Sequence, residues 1–404
     1  MSNGYDFFCY ACGTVCAAGV DFHCASCGDP LSIRSQGQPS DELLRQPSRD
    51  LWHYFDLLPI AGREHIVSLG EGATPLLHAP RLSAQTGCRV DLKNEAANPT
   101  GAFKDRQISV GISHAREIGK DTVAVVSSGN VACATAAYAA RAGMRAVLFM
   151  HAHAAPEKIR QCAVYGAKVI CVDSPAPSKV FELCLEACEK FGWYHLSTAG
   201  MYEPFNVEGA KTIAYELYQQ YAGDLPEWIV APVGGGGLLG AIWRGFLDLQ
   251  RLGLIERPPR LAGVQAEGCA PLKQSIAEGW NFQEHLKHPW PDPKTIAGGI
   301  ADDILFDGHT ILPAIRETNG AGMAVSDDAI RAAILRLAQA EGVFVEPSCA
   351  VTIAALDQLP GLGPETSVCC ILTGSGFKDP RAVQGLLPEP ARIGLSLSEV
   401  EAAL

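Results

Sequence analysis

Thr122-Val-Ala-Val-Val-Ser-Ser-Gly-Asn-Val-Ala-Cys-Ala-Thr-Ala-Ala-Tyr-Ala-Ala-Arg-Ala142 runs from a β-branched apolar stretch, through a Ser-Ser-Gly-Asn turn, into an alanine-rich stretch with helical character. The unit then repeats. Apolar runs at 146–150 and 168–172 read as strands flanking a helix at 156–165. Further on, a strand at 228–231, a glycine loop, a helix at 238–252 and a strand at 261–265 repeat the order, followed by a helix at 327–339 and a buried strand at 368–372. Strands alternating with amphipathic helices predict parallel strands joined by crossover helices, hence an open-sheet α/β architecture. Ligands of such sheets bind beyond the carboxyl ends of the strands, so the loops that follow strands are where chemistry is expected.

Composition narrows the class of partner. Among 404 residues, 48% are hydrophobic and 19% charged, enough to build a sizeable core and unlike a disordered chain. Lys and Arg number 32 against 44 Asp and Glu, a net charge of −12, so no broad basic surface is available for nucleic acid or an anionic membrane. A small molecule is the expected partner. No apolar run is long enough to span a bilayer, and the opening residues have neither a basic start nor an apolar core, so a cytoplasmic location is expected. The 15 cysteines are then mostly reduced thiols, with Cys184, Cys188, Cys369 and Cys370 acting as small buried apolar residues.

The first 33 residues differ from the rest. Cys9-x2-Cys12 and Cys24-x2-Cys27 have zinc-ribbon spacing, each pair placing two thiolates on one tight turn and the two turns together supplying a closed structural Zn(2+) site. Four such ligands leave no position open for catalysis. The alternative is a set of reduced or redox-active thiols, and Cys16 and His23 lie close enough to compete as ligands. A polar stretch over 32–49 reads as a linker.

Four loops carry the chemistry. Lys104 follows a Pro-Thr-Gly turn and a bulky aromatic; burial disfavours an ammonium, so a desolvated lysine becomes an amine nucleophile and base. Ser127-Ser-Gly-Asn130 opens a helix after a strand and offers amides and hydroxyls to a carboxylate, with an ordinary serine N-cap as the alternative. Gly234-Gly-Gly-Gly237, again between strand and helix, lets backbone amides surround a phosphate, unless it is a tight packing turn. Thr373-Gly-Ser-Gly376 offers a hydroxyl to a heteroaromatic ring nitrogen. Together these are what pyridoxal phosphate and an amino-acid substrate require.

The motifs carry a resemblance. Leu69-Gly-Glu-Gly-Ala-Thr-Pro-Leu76, Asn98-Pro-Thr-Gly-Ala-Phe-Lys-Asp-Arg106, Ser127-Ser-Gly-Asn130, the glycine loop, Glu346-Pro-Ser and Leu372-Thr-Gly-Ser-Gly-Phe-Lys-Asp-Pro380 occur in an order that resembles the fold-type-II pyridoxal-phosphate enzymes, and within them the threonine synthases. The resemblance implies two open-sheet α/β domains with the cofactor in the cleft between them, plus the zinc ribbon. It divides the chain into a ribbon at 1–33, linker and helix at 34–64, a large cofactor domain at 65–118 and 206–385, a small domain at 119–205 and a tail at 386–404. By this similarity Lys104 would hold the cofactor as a Schiff base and move protons at the substrate. Phe103 would flank the ring, Asn130 would bind the ring hydroxyl, Gly234, Gly235, Gly236 and Gly237 would hold the phosphate, and Thr373 would face the ring nitrogen. Thr74, Ser127, Ser128 and Asn206 would bind the substrate, Asn206 standing where many relatives carry an arginine. A homodimer is implied too. The implied reaction is β/γ-elimination and replacement on an amino acid, O-phosphohomoserine giving threonine and phosphate. The alternatives are a serine/threonine dehydratase (ammonia-lyase) and a β-replacement synthase of the cysteate or cysteine kind. A non-enzymatic zinc-ribbon protein that binds nucleic acid is opposed by the lack of any Lys or Arg in residues 1–33.

Overall fold

Three sheets form from the apolar runs in the computed structural model, which describes residues 4–16, 22–152, 154, 156–174 and 177–403; residues 1–3 and 17–21 of the expected ribbon and residue 404 of the expected tail lie outside these. The largest sheet orders its strands Ala321–Val325, Arg260–Ala266, Trp228–Pro232, Ser367–Leu372, Arg89–Asn94 and Leu76–His78. All its pairs are parallel except the last. A second, parallel sheet runs Lys168–Val172, Arg145–His151, Thr122–Val126, Tyr194–His195.

Period-two alternation decides how the central strands are buried. Ile229, Ala231, Cys369 and Ile371 enter one apolar cluster, while Trp228, Val230, Val368 and Cys370 enter the cluster on the opposite face. Helices cover both faces, which is why these strands read as unbroken apolar runs. The expected helices form with small shifts at their ends: Asn130–Ala142, Pro156–Ala163, Gly237–Arg251 and Asp327–Glu341.

The polar stretch at 32–49 is not wholly a linker. Ser32–Ser35 is the third strand of a small antiparallel sheet, pairing with Tyr5–Phe8, which also pairs with Val15–Cys16. Leu31 and Ile33 pack there with Phe7, Cys9, Cys24 and Phe205, an apolar gain that polar neighbours concealed in the sequence. This N-terminal unit sits on the body rather than apart from it. Tyr10 packs on Trp243 with ring centroids 5.0 Å apart, Ser32 Oγ lies 3.2 Å from His309 Nε2, and Arg244 Nη1 donates to the Ile33 carbonyl at 3.4 Å.

Candidate active site

The loops after three strands of the large sheet and one of the small sheet meet in one cleft. The helix Lys104–Glu117 starts the lysine at its first position. The loop before it is clamped to the turn after Ser367–Leu372: Phe103 N donates to the Thr373 carbonyl at 2.9 Å, Ser375 N donates to the Gly101 carbonyl at 3.0 Å, and Ala102 bridges Gly374. Asp105 shapes the turn, accepting from Thr100 N and Thr100 Oγ1, both at 2.7 Å. Beneath it, Arg106 forks between Glu95 and Glu216, and Lys93 Nζ reaches Glu216 at 2.6 Å, all with fully buried side chains. Paired and hydrogen-bonded charges of this kind fix the register of the helix carrying Lys104.

Lys104 is partly buried, its Nζ donating to Gln107 Oε1 at 3.0 Å and lying 4.7 Å from the Phe103 ring centroid. Burial pulls its pKa down from 10.5 to about 8, against the opposing pull of the Asp302 and Asp307 carboxylates. Both carboxylates stand over the tetraglycine turn. The Asp302 carboxylate accepts from the Gly235 N–H, and a Cβ placed on Gly234 would come within 2.5 Å of Asp302 Oδ2. Asp307 Oδ1 accepts from Gly200 N at 2.9 Å, and a Cβ on Gly237 would come within 2.9 Å of Asp307 Oδ2. Burial raises Asp302 to about 6 and Asp307 to about 7. Gly236 takes φ +99°, a backbone state side chains rarely adopt. The turn therefore already presents an amide to an anionic oxygen and has no room for side chains, so it fits the phosphate of pyridoxal phosphate.

Across the cleft, Asn130 opens its helix and donates through Nδ2 to Glu346 Oε1 at 3.0 Å and Oε2 at 3.2 Å. Gly129, Asn130, Cys133, Lys158, Gln161, Glu346 and Lys378 line one narrow cavity. Ser127 Oγ accepts from Gly129 N at 3.1 Å and Ser128 Oγ from His151 N at 3.2 Å, so both hydroxyls shape this turn.

Two of the sequence candidates are drawn elsewhere. Thr74 Oγ1 donates to Glu95 Oε1 at 2.6 Å and accepts from Arg106 Nη2 at 3.1 Å, inside the buried charge network. Asn206 is fully buried, with Nδ2 on the Ser197 carbonyl at 2.8 Å and Oδ1 against Gly111, two turns along the helix from Lys104. Conversely, Asp302 and Asp307 carry no local motif that marks them, and Glu346 and Lys378 lie in the Glu346-Pro-Ser and Leu372–Pro380 motifs, which by themselves assign them no role.

In the N-terminal unit the Sγ atoms of Cys9, Cys12, Cys24 and Cys27 all lie within 4.8 Å of one another. Cys9 Sγ is 3.4 Å from Cys27 Sγ and Cys12 Sγ 3.6 Å from Cys24 Sγ. Cys16 and His23 fall outside this group. Four thiols converging on one point are a donor set for tetrahedral zinc, and they fit the expected structural site.

Comparison with known proteins agrees with this geometry. Residues 67–374 match the family described as "Pyridoxal-phosphate dependent enzyme". The chain is 36% identical over 372 residues to the threonine synthase of Methanocaldococcus jannaschii, covering 90% of this chain and 89% of that one. It is 38% identical over 333 residues to the threonine synthase of Mycobacterium leprae, covering 81% and 88%. Its fold is similar to that of the processed form of threonine deaminase isoform 2 from Solanum lycopersicum, with a TM-score of 0.65 and 25% identity over 77% of this chain and 81% of that one.

Proposed function

Because this chain belongs to the pyridoxal-phosphate-dependent enzymes, and within them to the threonine synthase family, we propose that it converts O-phosphohomoserine and water to threonine and phosphate, the phosphate leaving the γ-carbon and the water oxygen becoming the β-hydroxyl. The observation that carries the reading is the partly buried Lys104 amine, lowered to about 8, facing a tetraglycine turn that already holds an anionic oxygen. Bound pyridoxal phosphate supplies an electron sink that makes the substrate's α-carbon acidic. Lys104 would anchor the cofactor, and its Nζ, once free, would carry protons between the substrate's α-carbon and the neighbouring carbons. The amides of Gly234 to Gly237 would hold the anionic tail, and Phe103 would cover the ring. Asn130 would donate to the ring hydroxyl and Thr373 would face the ring nitrogen. The Ser127–Ser128 turn, at a helix N-terminus, binds the substrate carboxylate. Thr74 is bonded to Glu95 and Arg106, and Asn206 through Nδ2 to the Ser197 carbonyl, so neither is given a substrate contact in this proposal.

The same proposal has the chain acting on a small amino acid as a cytoplasmic homodimer, without nucleic acid or membrane. Among the described residues no helix is long and apolar enough to cross a membrane. A dehydratase is the second reading, favoured by one observation: Asn206, uncharged, fully buried and bonded to the Ser197 carbonyl, offers no cation to a leaving phosphate. Product analysis separates the two. Phosphate and threonine from O-phosphohomoserine support the synthase, ammonia and a keto acid from serine or threonine support the dehydratase, and a substituted amino acid formed only with added nucleophile points to a β-replacement synthase.

A further inference from the structure

We propose that Glu346 is a positioning residue that orients the Asn130 carboxamide toward the cofactor ring, an inference that rests on Asn130 facing that ring. Glu346 occupies the N-cap position of the helix Pro347–Ala354, where its side chain makes no capping bond to that helix. Its carboxylate turns instead to Asn130, 216 residues away in sequence, and meets Nδ2 with both oxygens at 3.0 and 3.2 Å.

The placement is enforced on every side. Glu346 N donates to the Gly374 carbonyl at 3.2 Å, and Val345 bridges Ser375, so its backbone is stitched to the turn that carries Thr373. The carboxylate lies directly over Gly374, where any Cβ would overlap its oxygens, so glycine there leaves the space the glutamate occupies. Burial, with a small addition from Asp379, raises the Glu346 carboxyl above the usual range, while the Asn130 bond, Lys378 and Lys158 favour its charged form. Lys378 is itself held by the Thr100 carbonyl at 2.7 Å, in the turn that precedes Lys104.

A carboxamide has two donors on one face and an acceptor on the other, and rotation by half a turn exchanges them. An acceptor-only carboxylate permits one of these two orientations. With one Nδ2 hydrogen shared between the Glu346 oxygens, the second remains to bond a ring hydroxyl, and the flipped state would set the Asn130 oxygen against a carboxylate. The charge also polarises the amide and strengthens its second donor.

The test is a double-mutant cycle on the holoenzyme, with Asn130→Ala, Glu346→Ala, the pair, and Glu346→Gln. Two quantities are read: the cofactor dissociation constant by spectral titration, and the wavelength of the bound-cofactor band at saturation. Asn130→Ala and Glu346→Ala are each expected to weaken cofactor binding by about tenfold, and the pair by little more than Asn130→Ala alone. Glu346→Gln retains an acceptor at the same place and should recover most of the affinity, while the band shifts in the same direction as in Asn130→Ala. That spectral shift would not follow from a merely structural role. Should Glu346→Ala not fold, the Glu346→Gln spectrum decides, and an unmoved band overturns the proposal. Additive losses in the cycle overturn it as well, leaving the reading of the cleft intact. A band and affinity unmoved by Asn130→Ala overturn both.

Discussion

The Lys104 amine should capture an aldehyde at a pH where an ordinary lysine is inert. At pH 7.5 a pKa of about 8 leaves about a quarter of the amine neutral, whereas the ordinary value of 10.5 leaves about one part in a thousand, a difference of roughly 200-fold in nucleophile. Only the neutral amine attacks, so the rate of capture rises with pH through about 8 and is flat above it. The assay is stopped-flow mixing of cofactor-stripped protein with pyridoxal phosphate from pH 6 to about 10, following the visible band, with Lys104→Ala giving none. Asp302 pulls the amine's pKa upward, so Asp302→Asn should move the midpoint below about 8. A midpoint near that of free lysine, or an upward shift in Asp302→Asn, would refute the account of burial opposed by two carboxylates.

Asp302 occupies the turn expected to hold phosphate, so Asp302→Asn should bind pyridoxal phosphate several-fold more tightly while leaving unphosphorylated pyridoxal unchanged; equal effects on both would remove the argument. Arg106→Met leaves the buried Glu95 carboxylate without its cation and Glu216 with Lys93 alone, and should cost about 3–5 kcal/mol, read as a fall in the thermal midpoint; an unshifted midpoint would show that the network is dispensable. Cys9→Ser and Cys24→Ser should each lose bound zinc by metal analysis, whereas Cys16→Ser should keep it, since Cys16 stands outside the four-thiol group.

Much of the site was legible because its parts are local. A strand, a turn rich in glycine or serine, and a helix leave a pattern within about fifteen residues, and each such turn emerges at the carboxyl edge of a sheet. The direction in which a lone polar side chain points is not local. Thr74 and Asn206 sit in recognisable motifs, yet Glu95 and Arg106 capture the first and the Ser197 carbonyl the second, partners fixed only when distant elements pack. Asp302 reaches Gly235 across 67 positions and Glu346 reaches Asn130 across 216, and nothing in their immediate neighbours records either meeting. The strand at Ser32–Ser35 is hidden in the sequence for the same reason, because the apolar cluster that Leu31 and Ile33 join includes Phe205, far along the chain.

The seating of the N-terminal unit on Phe205, Trp243 and His309 has a consequence for biosynthesis. Its own residues leave the ribosome first, but the last of its landing points follows about three hundred residues later, roughly 15–60 s at ordinary elongation rates. Until Phe205 is made, 172 positions after Ile33, Phe7 and Ile33 have nothing from the body to rest against. A metal gripped by the four thiolates would keep the nascent unit folded while it waits, so zinc starvation should be felt first as aggregation of newly made chains rather than as loss of turnover in chains already assembled.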